Sequence, residues 1–121
     1  MQFKYELTDE VRLINGITLR RIKALHDLTD VKAWSLGGWI EKESNLSQEN
    51  NAWIYGNAQI FGNARIFEEA WVSGYARIYN NAQIFGKAMT YGHARVYDRA
   101  QISGTARIFE AEEIRGDTQI S

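Results

Sequence analysis

The residues of this chain best suited to chemistry are a histidine, His93, and a set of arginines that recur eighteen residues apart. A neutral imidazole can accept a proton at physiological pH, so His93 is a candidate general base. Arg77 and Arg95 are each followed two positions later by a tyrosine, Tyr79 and Tyr97. Arginine interleaved with aromatic residues can bind phosphate, carboxylate or a nucleobase, by bidentate hydrogen bonds and by stacking.

The composition excludes several classes of function. The chain has 121 residues, enough for one domain, and 14 basic residues against 15 acidic ones. This balance argues against binding to extended nucleic acid or to an anionic membrane. Because there is no cysteine and there are only two histidines, we expect no disulfide, no thiol nucleophile and no metal site. No apolar run is long enough for a signal peptide or a transmembrane helix, so a cytoplasmic location is expected.

The chemistry-bearing residues all lie in a six-residue repeat that starts at Ala52. Its first hexads read AWIYGN, AQIFGN, ARIFEE and AWVSGY, and no residue is inserted or lost up to the end of the chain. The first position is alanine as far as Ala106, and the third is aliphatic except at Thr90. Alternation within each hexad predicts a short strand with the first and third positions pointing inward.

The fifth position of most hexads is glycine, asparagine or aspartate, which tolerate the positive φ of a tight corner. Glu68 and Glu110 break this rule, and the sequence predicts local strain or a different turn there. Short strands joined by regular corners predict an all-β fold, a triangular parallel β-helix in which three hexads close one coil. Residues 52–121 would form about four coils, counted at three hexads per coil. Residues 1–51 would form a separate N-terminal capping segment.

These hexads resemble the hexapeptide repeat of the left-handed parallel β-helix superfamily, which includes many acyltransferases. The resemblance covers residues 52–121 and implies a left-handed coil and, commonly, a homotrimer. The whole layout, with "KYELTDEVRLINGITLRRIKAL" followed by "LGGWIEKESNLSQENNAWIYGNA", is similar to short hexapeptide-repeat proteins of bacteria and their phages.

The first fifty residues are predicted to form a cap. Asn15-Gly16 lies between two alternating runs, which is a strong hairpin signal, and a β-helix end needs a cover for its open core and strand edges. The cap is favoured over a separate binding role. The stretch from Leu36 to Ile40 is expected to lead into a first, irregular coil. His26 is interpreted as the end of the hairpin, with Asp27 and Asp30 as turn residues or ligands.

Residues eighteen apart should stack, which sorts the outward positions of the hexads into three faces. Face one is apolar and aromatic, a composition typical of subunit interfaces, and we expect it to be the contact of a homotrimer. The alternative is that the N-terminal segment folds over it. The predicted interface residues are Trp53, Tyr55, Trp71, Met89, Tyr91 and Phe109.

Face two carries the candidate ligand-binding residues Arg77, Tyr79, Arg95 and Tyr97. A solubilising face, with the arginine stems lying across the aromatic rings, is the alternative that we favour on general grounds. Face three carries a ladder of glutamine and phenylalanine, which suggests sheet stacking and no chemistry.

Two functions remain open. The first is a non-catalytic, homotrimeric binding or scaffold module that needs no cofactor. A phage-encoded member could sequester a host factor, or a small anionic ligand such as a nucleotide, in the grooves between subunits. The second follows from the resemblance: a minimal acyltransferase that uses acyl-CoA, with His93 as the catalytic base at a subunit interface. No inserted loop and no orienting carboxylate accompany His93 in the sequence, so binding is preferred.

Overall fold

The computed structural model describes residues 3–28 and 30–121, and these residues form an all-β fold with a single 3-10 turn at Glu43–Asn45. Three longer strands precede the repeat, and twelve two-residue strands follow, one in each hexad. The strands are β1 Tyr5–Ile14, β2 Ile17–Ala24, β3 Leu36–Ile40, β4 Trp53–Ile54, β5 Gln59–Ile60, β6 Arg65–Ile66, β7 Trp71–Val72, β8 Arg77–Ile78, β9 Gln83–Ile84, β10 Met89–Thr90, β11 Arg95–Val96, β12 Gln101–Ile102, β13 Arg107–Ile108, β14 Glu113–Ile114 and β15 Gln119–Ile120.

The predicted hairpin is present. Strands β1 and β2 pair antiparallel around Asn15 and Gly16, whose φ angles of 47° and 83° are those a tight hairpin turn requires. Strand β2 then pairs antiparallel with β3, and β3 pairs in parallel with β5. The hairpin therefore extends one side of the β-helix into a seven-stranded sheet with the order β1-β2-β3-β5-β8-β11-β14.

The eighteen-residue register is confirmed on all three sides of the helix. Trp71 pairs with Met89, Arg77 with Arg95, and Gln83 with Gln101. The other two sheets have the orders β13-β10-β7-β4 and β15-β12-β9-β6. Each short strand thus hydrogen-bonds to its neighbours in adjacent coils, so every coil depends on the coils beside it.

The helix has about five turns, one more than the four coils predicted for residues 52–121, and the additional turn is the irregular first coil expected to follow from Leu36–Ile40. The additional turn comes from the segment before the repeat, where β3 contributes a strand to the stack. Trp39 pairs with Gln59, and Leu46 bridges to Ile66. Both separations are twenty residues, so this first coil carries two more residues than the others and does not show the hexad pattern.

The corners follow one geometry throughout. Every fifth position from Gly56 to Gly116 has a positive φ, between 56° and 69°. Glu68 and Glu110, at 58° and 57°, make the same turn as the glycines, so the expectation of a different turn was wrong and that of strain stands. The Glu68 carboxylate accepts a hydrogen bond of 2.9 Å from the Gly86 amide in the next coil, which offsets part of this cost.

The interior is a narrow column of alanine, isoleucine and valine. The first-position alanines up to Ala100 and the third-position aliphatics up to Ile102 are fully buried. Thr90 occupies a third position and is equally buried. At the C-terminal end, Ile114 and Ile120 are only half-buried.

The N-terminal segment closes the other end of this column. The Tyr5 hydroxyl donates to the Leu46 carbonyl, and the Lys4 ammonium donates to the Ala52 carbonyl at 2.7 Å. Both side chains are almost completely buried. Burial lowers the pKa of Lys4 to about 8, against the opposing attraction of Glu69. The hairpin therefore caps the helix by satisfying its terminal carbonyls as well as by covering apolar surface.

Within residues 3–28 and 30–121, no helix is long and apolar enough to cross a membrane.

Candidate functional site

Several of the predicted site residues meet at a surface cleft of about 280 Å³, which is lined by Tyr75, Arg77, His93 and Arg95. It lies where the corner that follows β7 and β10 turns into the next sheet. The repeat places the two arginines at the second position of their hexads and the two rings at the sixth. Three of the predicted site residues are thereby brought together, and Tyr75 is a member that the sequence reasoning missed.

Arg77 and Arg95 lie side by side on the outer surface of β8 and β11, and both are exposed. Their backbones are one strand apart, about 4.8 Å. Across the described ranges, the ion pairs are Arg21–Glu10, Lys23–Glu6 and Arg99–Asp117, so neither Arg77 nor Arg95 has a carboxylate within 4.0 Å. The next residue in the column is Glu113, which pairs with Arg95 in backbone register only.

His93 is stacked on Tyr75, with ring centroids 5.1 Å apart and an angle of 4° between the planes. Both side chains are exposed, Tyr75 to 58%. No carboxylate of the described residues pairs with the His93 ring, so nothing there orients the imidazole as a base. What holds the ring is the flat face of the tyrosine one coil earlier.

Tyr79 and Tyr97 are near the arginines, but their ring faces are engaged with each other. Phe61, Tyr79 and Tyr97 form a continuous stack with centroid separations of 5.0 Å and an angle of 2° between successive planes. The central ring, Tyr79, is therefore covered on both faces and cannot stack on a ligand. Burial raises the pKa of Tyr79, so its phenol stays neutral and can only donate or accept a hydrogen bond at its edge.

Most of the predicted interface residues of face one line an open apolar groove. Tyr55, Trp71, Met89 and Tyr91 border a depression of about 580 Å³ together with Asp30. Tyr55 packs edge-on against Trp71 at 5.8 Å, and Tyr91 stacks on Phe109 at 5.5 Å. These contacts leave the outer edges of the rings exposed along the helix.

Trp53 is the exception on this face and corrects the prediction. It is only 1% exposed, and the ring of Tyr5 packs edge-on against it with centroids 6.3 Å apart. The N-terminal segment thus covers face one at Trp53, as the alternative interpretation required, and leaves Tyr55 and the later rungs open. Trp53 is a core residue and is not available to a second subunit.

The hairpin adds two arginines that sequence reasoning did not connect with face two. The guanidinium carbons of Arg12 and Arg21 lie 4.4 Å and 5.6 Å from the centroid of Trp39. Trp39 is in the same sheet column as Gln59, Arg77 and Arg95. No hexad signal could have found this contact, because it depends on how the hairpin docks against β3.

Another surface depression, of about 710 Å³, follows the corner after β5, β8, β11 and β14 and is lined by asparagine, aspartate, glycine and arginine. Its polar groups serve the fold. Asp98 accepts a hydrogen bond of 3.0 Å from the Gly116 amide and one of 3.3 Å from the Asn80 side chain. Among the described residues, no group of three or more histidine, cysteine, aspartate or glutamate side chains could hold a metal ion.

Comparison with known proteins agrees with this geometry. The family described as "YdcK Beta solenoid repeat" matches residues 58–74. A protein of Escherichia coli (strain K12) named "Uncharacterized acetyltransferase YdcK" is 42% identical over 60 residues, a match that covers 43% of this chain. Repeat, coils and matches together fit a hexapeptide-repeat β-helix family. The chain spans only 18% of the length of that relative.

Proposed function

We propose that this β-helix is a non-catalytic binding module for a small anion carrying a phosphate or a carboxylate group. The observation that supports this most directly is the register of Arg77 and Arg95, two exposed guanidinium groups on neighbouring strands with no ion-pair partner among the described residues. Planar guanidinium groups bind phosphate and carboxylate oxygens through paired hydrogen bonds.

Electrostatics favours an anion at this position. Two unit charges held about 5 Å apart repel each other by about 1 kcal/mol in water. An anion between them adds two attractions that outweigh the remaining repulsion, and Tyr75 and His93 line the same cleft. The site is a pair of charges on a rigid support, which suits a small ligand better than a long polyanion.

The proposal includes assembly. Face one is the surface proposed to form a homotrimer, because it is apolar, aromatic and continuous over several coils. Without the buried Trp53, it consists of Tyr55, Trp71, Met89, Tyr91 and Phe109. The cleft of Arg77 and Arg95 begins one corner away from that surface. In a trimer it would lie near the neighbouring subunit, in a groove where a small nucleotide or a segment of a host protein could be sequestered.

A minimal acyltransferase is the second candidate. It is favoured by the similarity to a relative whose name describes an acetyltransferase, and by the exposed position of His93. His93 would remove a proton from the acceptor hydroxyl, with acyl-CoA as donor. We rank it below binding because the imidazole has a stacking partner and no orienting carboxylate in the described residues.

Titration calorimetry with methyl phosphate tests the binding proposal on wild type, on Arg77→Ala/Arg95→Ala and on Arg107→Ala. Arg107 is the matched control, since it is an exposed arginine at the same hexad position on face one. The double variant should lose at least about tenfold in affinity, as expected for two charge-assisted contacts, and Arg107→Ala should not. Equal affinity of all three proteins, or no binding by the wild type, would refute the site.

The same proteins separate the two functions. Incubation with acetyl-CoA and a panel of amines and hydroxyl compounds, followed by mass spectrometry of the products, should give no protein-dependent acetylation. Acetylation that is present in the wild type and absent in His93→Ala would replace the binding proposal with the acyltransferase.

A further inference from the structure

We infer that the cleft of Arg77 and Arg95 takes an anion attached to a planar aromatic ring, and that this ring stacks on the free face of His93 beside Ala111. This inference rests on the proposed function and specifies its ligand class. It follows from the order of residues in one column of the β-helix, the sixth position after face one, which reads Asn57, Tyr75, His93 and Ala111.

Aromatic rings in this molecule stack along the helix axis wherever consecutive coils provide them. Phe61, Tyr79 and Tyr97 form one such ladder, and Phe67 and Phe85 form another at 4.9 Å. The coil spacing of about 4.8 Å is close to the preferred separation of offset-stacked rings. A ring at one rung is therefore well placed to receive a ring at the next.

The ladder of Tyr75 and His93 stops at Ala111. The Tyr75 amide donates a hydrogen bond to the carbonyl of Gly92, the residue before His93. In the same way, the His93 amide donates at 2.6 Å to the carbonyl of Glu110, the residue before Ala111, so Ala111 occupies the next rung of the column. Ala111 is exposed and carries only a methyl group. The face of the imidazole directed toward it has no protein ring against it among the described residues, which leaves a place of ring thickness beside the main chain.

The surrounding charges fix the orientation of such a ligand. Arg95 and Arg77 lie one and two rungs above Ala111, whereas Glu113, on the Ala111 rung, is a carboxylate. An anionic group is repelled by Glu113 and attracted by the arginines, so it points back along the helix, toward Arg95. The other two ladders, which end at Phe85 and Tyr97, lack this arrangement. The next rungs of their columns carry Ser103 and Arg115, and neither ladder lines the cleft of Arg77 and Arg95.

The test compares phenyl phosphate with methyl phosphate, which carry the same charge, by titration calorimetry. The wild type should bind phenyl phosphate about tenfold more tightly, the value of one stacked ring. Ala111→Phe supplies the missing ring from the protein, and should abolish this preference while leaving the affinity for methyl phosphate unchanged. Ala111→Ser, which keeps the gap, should behave as the wild type.

The outcomes separate this inference from the proposal beneath it. If the wild type binds both phosphates equally, or if Ala111→Phe retains the preference, the ring site is wrong and the anion site stands. If neither phosphate binds, the proposed function fails and the ring site fails with it. Because position 111 is exposed and beyond the buried core, circular dichroism should show the same strand signal for all three proteins.

Discussion

Thr90 offers the most direct test of how the core is built. It lies on β10 in register with Val72 in the preceding coil and Ile108 in the following one. Its side chain is completely buried, and its hydroxyl oxygen has no hydrogen-bond partner among the described residues. Valine has the same branched shape and places a methyl group where threonine has the hydroxyl. Thr90→Val should therefore stabilise the protein.

The size of the effect follows from the burial. A buried hydroxyl without a partner costs about 1–3 kcal/mol, and one additional buried methyl group contributes about 0.8 kcal/mol. Relaxation around the hydroxyl reduces the sum, so we expect the free energy of unfolding to rise by about 1–2 kcal/mol. In a domain of this size, the midpoint of thermal unfolding should rise by roughly 4–8 °C.

Urea denaturation followed by circular dichroism measures this change, with an unchanged m value showing that the unfolded state is not affected. Val72→Thr is the matched control, because it places the same hydroxyl one rung earlier in the same column and should lower stability by about 1–2 kcal/mol. A Thr90→Val protein that is no more stable than the wild type would show that the hydroxyl is satisfied, and would refute the reasoning.

Two other predictions concern the ends and corners of the helix. Burial lowers the pKa of Lys4 in the folded protein to about 8 from an ordinary 10.5, so between these values the folded chain binds fewer protons than the unfolded chain. The unfolding free energy of the wild type should therefore rise with pH relative to that of Lys4→Met, by about 2 kcal/mol from roughly pH 7 to roughly pH 9.5. Urea denaturation of both proteins at each pH measures this change, and a difference between them that stays constant with pH would argue against the lowered pKa of Lys4. Gly74 and Gly116 have φ of 66° and 64°, but a Cβ at Gly74 would lie 2.9 Å from the backbone of Gly92, whereas one at Gly116 meets nothing within 4 Å. Gly74→Ala should cost about 1–3 kcal/mol more than Gly116→Ala by the same denaturation assay, and equal costs would contradict the contact.

The β-helix could be predicted because the residues that determine its strands and corners recur every six positions. Alanine, aliphatic and glycine positions recur through the hexads, so the eighteen-residue register could be derived from the letters alone, and with it the pairing of Arg77 and Arg95. An irregular first coil could be expected from the stretch Leu36 to Ile40, but its pairing register could not be derived, since its two extra residues remove it from the six-residue period. Glu68 shows that register can also impose a corner on a residue that does not favour it.

The errors at the surface have a different origin. Whether Trp53 is exposed depends on where the N-terminal segment docks, and nothing in the hexads specifies that contact. The mutual stacking of Tyr79 and Tyr97 follows from the coil spacing, which places rings of one column about 4.8 Å apart, but the stacking was predicted only for face three. The column of Tyr75, His93 and Ala111 is present in the sequence, as sixth positions of hexads that lie eighteen residues apart. It was not predicted because the three faces were assigned from the second and fourth positions alone.

The constant register makes the β-helix a molecular ruler. Side chains in one column are spaced by whole coils, so the gap between two charges can change only in steps of about 4.8 Å. Insertion of one eighteen-residue coil between Arg77 and Arg95 would double the separation of their backbones and would leave each flanking sequence unaltered. Duplication or loss of coils can thus retune such a surface to longer or shorter ligands without redesign of the core.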